Sequence, residues 1–180
     1  KHREVFPVAE LFKAVAIKAA NDAAVALAEG VGGSVARFVR MMNDRAAELG
    51  MHKTEYHNVH GLPVERGQRA DQSTAYDIAL LARRLLRIPE VMHWANTDEA
   101  WFRRRTMKLV NPNELVRKTD WVDGLQLSAS QSTGYHVVAT AQRDGMRLLS
   151  VVMGADSKKD SLRSTRQLLN QGFRDYHTLV

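Results

Sequence analysis

Residues Trp121–Ala155 read WVDGLQLSASQSTGYHVVATAQRDGMRLLSVVMGA, and this stretch decides the fold of the chain. Its strongest apolar runs are Leu125–Leu127 and Val151–Met153. Apolar runs of this length, separated by turn residues, predict three antiparallel strands. The Asp144-Gly145 dipeptide is typical of a two-residue hairpin turn, which Arg143 would widen if it joined the turn.

Helical spacing of apolar residues predicts helices on the amino-terminal side of this sheet. The first begins at Pro7 and carries Val8, Leu11, Phe12 and Val15. The second is expected at Ala23–Glu29, with Asn21 and Asp22 as caps and Gly30 as its end. The third is capped by Ser34 and ends at Gly50, before a long loop at Met51–Gln72.

A fourth helix opens at Thr74, whose spacing to Asp77 resembles a capping box, and Pro89 is expected to close it. A short helix near Val91–Ala95 and one extended segment near Trp101–Leu109 follow. The last helix is expected from about Ser157 to Phe173. Its predicted inward residues are Leu162, Thr165, Leu168, Leu169 and Phe173.

The order of helices, strands and a final helix indicates an α+β fold, an antiparallel sheet flanked by helices. We expect a single domain over residues 1–180, with a helical lobe at about 7–115 and the sheet and last helix at about 120–176. The chain contains no cysteine, which excludes disulfides and thiol chemistry. No stretch has the pattern of a membrane span or of a signal peptide.

The formal net charge is +6 and the pI about 9.8, but the cations are spread along the chain. The one tight run, Arg103-Arg104-Arg105, lacks interleaved aromatic residues, so nucleic acid is not an expected partner. His57 and His60 lie in a predicted loop without a carboxylate at ligand spacing, so we expect neither a metal nor another cofactor. No serine is followed three residues later by the lysine that would share its helical face.

Three stretches, in order, resemble the serine-type D-alanyl-D-alanine carboxypeptidases, the low-molecular-mass penicillin-binding proteins. They are PVAELFKAVAIKAANDAAVALAEGVGG at Pro7–Gly33, ELGMHKTEYHNVHGLPVERGQRADQSTAYDIALLARRLL at Glu48–Leu86, and the sheet stretch quoted above. The resemblance continues through NPNEL at Asn111–Leu115 and the last helix. It implies the transpeptidase and β-lactamase-like fold, with a helical lobe beside the sheet.

The resemblance also implies an activity: removal of the terminal D-alanine from peptidoglycan stem peptides through an acyl-serine. Ser-x-x-Lys supplies nucleophile and base, Ser-x-Asn relays protons and holds the substrate amide, and Lys-Thr-Gly binds the substrate carboxylate. The resemblance places the first motif, the nucleophile helix and two strands before residue 1, and none of these is present in the chain.

The other two motifs are substituted. Ser-x-Asn aligns with Ala19-Ala20-Asn21, which keeps the asparagine and loses the hydroxyl. Lys-Thr-Gly aligns with Gln126-Leu127-Ser128, between the anchors Val122–Leu125 and Gly134-Tyr135. The motif-equivalent positions are therefore Ala19, Asn21, Gln126, Leu127 and Ser128; Asn21, Gln126 and Ser128 are the candidate substrate-binding residues.

Three hypotheses follow from these substitutions. The chain is an inactive family domain with a binding or scaffolding role, a working carboxypeptidase whose Ser-x-x-Lys lies upstream, or a fragment with an open sheet edge. Its expected partners are a peptidoglycan stem peptide or another envelope protein. Its expected location, implied by the family, is the bacterial cell envelope, periplasmic or extracytoplasmic. An alternative role for Asn21 is that of a helix cap only.

Overall fold

Helices and antiparallel strands are grouped in runs along the chain, which is the order typical of an α+β fold. The computed structural model describes residues 4–62, 67, 69–130 and 132–178. Its helices are α1 Val8–Lys18, α2 Asn21–Gly32, α3 Val35–Glu48, α4 Ala75–Leu85, α5 Pro89–Ala95, α6 Glu114–Lys118 and α7 Lys158–Asp175. Its strands are β1 Glu99–Phe102, β2 Met107–Val110, β3 Val122–Ser130, β4 Gly134–Arg143 and β5 Met146–Ala155.

The main sheet has the order β3-β4-β5, with both pairs antiparallel, as the stretch Trp121–Ala155 predicts. Asp144 and Gly145 form the turn between β4 and β5, with φ of 47° and 78°. Arg143 pairs directly with Met146, so it belongs to the strand and does not widen the turn. Positive φ at both central residues matches the right-handed twist of the strands that the turn connects.

Helices cover both faces of this sheet. On one face α7 packs against Val137, Ala139 and Ala141 of the central strand β4, all fully buried. On the other face α4 and α5 contribute Ala82 and Ala95 to a second cluster with neighbouring sheet residues. The central strand is therefore buried on both sides, which restricts its inward positions to apolar or hydrogen-bonded side chains.

The caps at α3, α4 and α7 are those that the sequence predicts. Ser34 Oγ accepts a hydrogen bond from Arg37 N, Thr74 Oγ1 accepts one from Asp77 N, and Ser157 Oγ accepts one from Asp160 N. The carboxylate of Asp77 does not complete a capping box with the backbone. It accepts bonds from Lys53 N and Thr54 Oγ1 instead, which fixes the start of the loop Met51–Gln72.

Two expectations about α2 are wrong. The helix begins at Asn21 itself, and the capping position falls on Ala20, which makes no side-chain cap hydrogen bond. Gly30 does not end the helix, because a glycine costs only about 1 kcal/mol inside one. The helix continues to Gly32, and at the following Gly33 a φ of 74° lets the backbone N–H bond the Glu29 carbonyl.

Three further expectations need correction. Pro89 begins α5 and does not close α4, which already ends at Leu85. The extended segment near Trp101–Leu109 is a hairpin of β1 and β2 that turns at three arginines with positive φ, Arg103–Arg105. Leu168 is 49% exposed, because it lies on the flank of α7 and not on the inward stripe.

The predicted loop Met51–Gln72 is closed by a bridge between Glu55 and Gln72. Residues 63–66 and 68 of this loop lie outside the described part of the chain. None of the helices in the described residues combines the length and the apolar character needed to cross a bilayer.

We expect Gly134→Ala to destabilise the fold more than Gly145→Ala. Both glycines have nearly the same positive φ, 77° and 78°, so both substitutions carry the backbone strain of about 1–2 kcal/mol. Only at Gly134 would the new Cβ lie 2.6 Å from a backbone atom, Ala155 O, whereas nothing lies within 4 Å at Gly145. Urea unfolding should show that Gly134→Ala lowers the free energy of unfolding by about 1–3 kcal/mol more than Gly145→Ala does. Equal losses would contradict the close approach of β4 to the end of β5.

Candidate functional site

The register between β3 and β4 sets the directions of the three motif-equivalent side chains. Leu127 pairs with Val137 and is buried in the cluster beneath α7. Gln126 pairs with Val138, which packs on the opposite face with the α4 and α5 cluster. Because paired residues share a face, Gln126 and Ser128 belong to the α4 and α5 side of the sheet. The three positions therefore divide between the core and the candidate site.

Gln126 brings an unsatisfied polar group into this face. Its Nε2 is buried and has no hydrogen-bond partner within the described residues. A buried donor without a partner costs about 1–3 kcal/mol, and native structures contain few of them. Ser128, two residues further along the same face, is exposed. The strand thus presents a neutral amide and a hydroxyl, with no cation at either position.

The other motif-equivalent residues lie at the junction of α1 and α2. Ala19 has the left-handed conformation, with φ 55° and ψ 44°, and its N–H bonds Val15 O. This conformation is unfavourable for alanine by about 1–2 kcal/mol, and residues held in it are frequent at functional sites. Asn21 is half-buried, and its side chain makes no hydrogen bond within the described residues. The helix-cap role for Asn21 is therefore wrong, since the capping position falls on Ala20.

Helix α5 connects this junction with β3, because it contacts both α1 and the strand. A glycine at position 124 permits the approach: a Cβ there would lie 3.3 Å from the Cβ of Ala95. On the α1 side, Lys13 Nζ lies 5.7 Å from the ring centroid of Trp94. No hydrogen bond joins Asn21 to Gln126 in the described structure, so the site consists of two separate groups linked through α5.

A chain of hydroxyl groups, which no sequence motif marks, ends at a histidine beside Ser128. His136 pairs with Ser128 across the strands, and its Nε2 lies 3.0 Å from Thr133 Oγ1. Thr133 Oγ1 lies 2.6 Å from Ser130 Oγ, which also accepts a bond from Thr133 N. In the sequence, this group is visible only as three polar residues at the tip of a predicted hairpin. The strand register is needed to show which of their side chains are in contact.

The hydrogen bonds fix the tautomer of His136. Its Nδ1 accepts a hydrogen bond from Gly154 N at 3.2 Å, so in the neutral ring the proton is on Nε2, which donates to Thr133. Partial burial lowers the pKa of His136 below its ordinary value. The ring is therefore neutral at pH 7 and ties the end of β5 to the hairpin tip.

Each of the two loop histidines contacts a neighbouring residue in the described part of the loop. His57 Nε2 lies 3.3 Å from Glu55 Oε1, and His60 Nδ1 accepts a hydrogen bond from Leu62 N. Among the described residues, no three histidine or carboxylate side chains converge as metal ligands would.

Comparison with known sequences identifies similar proteins. The sequence profile of the D-alanyl-D-alanine carboxypeptidase family matches residues 1–157. The chain is 35% identical over 178 residues to D-alanyl-D-alanine carboxypeptidase DacF of Bacillus subtilis, covering 97% of this chain and 45% of that protein. It is 38% identical over 175 residues to DacC of Escherichia coli, covering 96% and 42%. The chain thus spans less than half the length of these curated relatives.

Solved structures show the same arrangement of elements. Penicillin-binding protein D2 of Listeria monocytogenes, in its cefotaxime-bound form, matches with a TM-score of 0.86 and 29% identity, covering 96% of this chain and 69% of that one. Penicillin-binding protein 6B of Escherichia coli matches with a TM-score of 0.83 and 34% identity, covering 92% and 51%. The transpeptidase-like fold expected from the sequence is confirmed.

We expect the protein to lose stability as the pH falls below about 6.5, the usual pKa of histidine in an unfolded chain, and His136 to cause part of this loss. Because its folded pKa is lower, protonation favours the unfolded chain until the pH is below the folded value. Urea midpoints at pH 8 and pH 5 should therefore differ less for His136→Gln than for the wild type. The exposed His177→Gln is the control, and an unchanged difference in both variants would contradict this role.

Proposed function

This chain belongs to the D-alanyl-D-alanine carboxypeptidase family, and from that membership we propose that it acts in peptidoglycan metabolism as a binding domain without the hydrolytic activity of the family. The observation that carries this proposal is the neutral amide of Gln126 at the position of the carboxylate-binding lysine. An amide can donate a hydrogen bond to a carboxylate, but it cannot supply the charge that strengthens such a bond.

The other substitutions support the same conclusion. At position 19 a methyl group replaces the hydroxyl that would relay protons. Leu127 is only 6% exposed, in the cluster beneath α7, and an isobutyl group offers no hydrogen bond to a substrate. Loss of a single nucleophile or base from a catalytic unit typically lowers the rate by several orders of magnitude. Four altered positions in two motifs are therefore incompatible with the usual chemistry.

Binding is supported by the groups that remain. The left-handed turn at Ala19 persists without the catalytic side chain, and it holds Asn21 with a free amide. On the strand, the unsatisfied Nε2 of Gln126 would gain a partner from a bound acceptor. We therefore propose a peptidoglycan stem peptide as the ligand, held between Asn21 and β3 through hydrogen bonds to its amides. Because peptidoglycan lies outside the cytoplasmic membrane, the proposed location is the cell envelope.

A working carboxypeptidase is the second candidate. Two observations favour it. The similar proteins DacF and DacC are carboxypeptidases, and this chain covers only 45% and 42% of their lengths. In that case a Ser-x-x-Lys elsewhere in the full-length protein would supply the nucleophile, and Gln126 and Ser128 would serve an altered substrate.

Labelling with a fluorescent penicillin separates these two candidates. We expect the protein produced from its full gene to be acylated at least about a thousandfold more slowly than an active family member, because the proton relay and the cation are lost. The measurement is in-gel fluorescence against time, with an active carboxypeptidase as the positive control. Stoichiometric labelling of one serine would overturn the proposal and establish the second candidate.

We expect Asn21→Ala to weaken binding of a D-alanyl-D-alanine-terminated peptide by about three- to tenfold, the loss of one hydrogen bond. Isothermal titration calorimetry provides the measurement. Asn96→Ala, an exposed asparagine at the end of α5, is the matched control and should leave the affinity unchanged. Equal affinity for the wild type and Asn21→Ala would remove Asn21 from the ligand site.

A further inference from the structure

A groove of about 600 Å³ runs between α6 and the outer side of α7. Five cationic side chains line it: Lys118, Lys158, Lys159, Arg163 and Arg166. A single carboxylate, Glu114, lies among them. The volume is in the range of sites that bind ligands or peptide segments. This strong excess of positive charge makes the groove a candidate for binding an anion.

Two of the lysines share one carboxylate inside the groove. Glu114 Oε2 lies 2.5 Å from Lys118 Nζ and its Oε1 lies 2.6 Å from Lys158 Nζ, so one carboxylate joins the two helices. Hydrogen bonds from these lysines lower the pKa of Glu114 to about 2, which keeps it charged at neutral pH. Glu114 therefore holds the two walls together and leaves one positive charge over.

The remaining cations form a stripe on α7. Lys159, Arg163 and Arg166 are spaced at i, i+4 and i+7, which puts them on one face of the helix, about 10 Å from end to end. Arg163 pairs with Asp160 at 2.6 Å, whereas Lys159 and Arg166 have no ion pair within the described residues. Both are exposed. An incoming anion could therefore pair with these two without breaking a contact.

The floor of the groove is apolar. Leu162 lines it between the charged walls, and Leu115, which is only 2% exposed, closes it from beneath as part of the core. A free phosphate or a polyphosphate offers nothing that would cover Leu162. A ligand with both carboxylates and apolar side chains would satisfy the rim and the floor together. Arginine also matches the planar, bidentate geometry of a carboxylate.

From this combination we propose that the α6–α7 groove binds an amphipathic acidic segment of a partner protein. A helical segment with carboxylates at i, i+4 and i+7 repeats the spacing of the α7 stripe, so each acid can face one cation. Its adjoining apolar side chains lie over Leu162. The partner is thus recognised by its charge pattern at the rim and by burial of its apolar side chains on the floor.

The test uses the full chain and a fluorescein-labelled peptide of about 18 residues. This length is chosen because isolated helices shorter than about 12–15 residues are only marginally stable in water. The peptide carries Glu at i, i+4 and i+7 beside a leucine stripe. Fluorescence anisotropy should show saturable binding, and the matched peptide with Gln in place of Glu should bind at least about tenfold more weakly. Affinity should also fall with added salt, because exposed charges are screened.

The protein variants locate the binding. Lys159→Glu/Arg166→Glu should weaken binding at least about tenfold. The control Arg37→Glu/Arg40→Glu reverses two exposed arginines on α3, outside the groove. Both double variants change the formal net charge from +6 to +2, so a simple charge effect would weaken them equally. The milder Lys159→Gln/Arg166→Gln, with a thermal melt of each variant, shows whether any loss comes from misfolding.

Three results would overturn the proposal. The first is equal weakening of the groove and control variants. The second is the absence of saturable peptide binding by the wild type. The third is a preference for polyphosphate or for vesicles containing an anionic phospholipid, with the acidic peptide unable to compete. In that third case the groove recognises a phosphate-bearing ligand instead of a protein segment.

Discussion

The burial of β4 on both faces is the constraint on which the rest of the structure depends. Val137, Ala139 and Ala141 have no exposed surface beneath α7, while Val138 packs in the opposite cluster with α4 and α5. A strand enclosed in this way cannot slip by one residue, because every side chain would change sides. Its register therefore dictates where the neighbouring strand β3 directs each of its residues. The side chain of Leu127 lies in the core, and that of Gln126 lies on the face of the candidate site.

The parts of the fold that were predicted from sequence are those set by local chemistry. Asp144-Gly145 forms its turn, and Ser34 and Thr74 cap their helices, because each effect needs only a few adjacent residues. The errors occur where neighbours distant in sequence decide. Gly30 remains helical because Gly33 supplies the left-handed conformation, and Leu168 is exposed because only part of the α7 stripe meets the sheet.

For the candidate site, the sequence suggests positions, which stay a prediction, and it does not give their contacts. Alignment to the family motifs located Asn21 and Gln126 without any geometry. It could not show that Asn21 does not cap its helix, or that the Gln126 amide lacks a partner. Both facts depend on how the surrounding backbone is arranged. The link between His136 and Ser130 was also invisible in sequence. It arises from the pairing of β3 with β4, which brings His136 to Thr133 and Ser130 at the tip of their hairpin.

In this fold, the residues that pack the core and the residues of the candidate site lie at different positions on the sheet. The register and the buried clusters need shape and hydrophobicity at β4, and they are intact around substituted motif positions. The face of Gln126 and the α6–α7 groove lie on opposite sides of that sheet, because α7 covers one face and α5 the other. A segment bound in the groove would therefore leave the face of Gln126 open. The proposed peptide ligand and the proposed protein partner would therefore occupy different sides of one sheet and would not compete for the same surface.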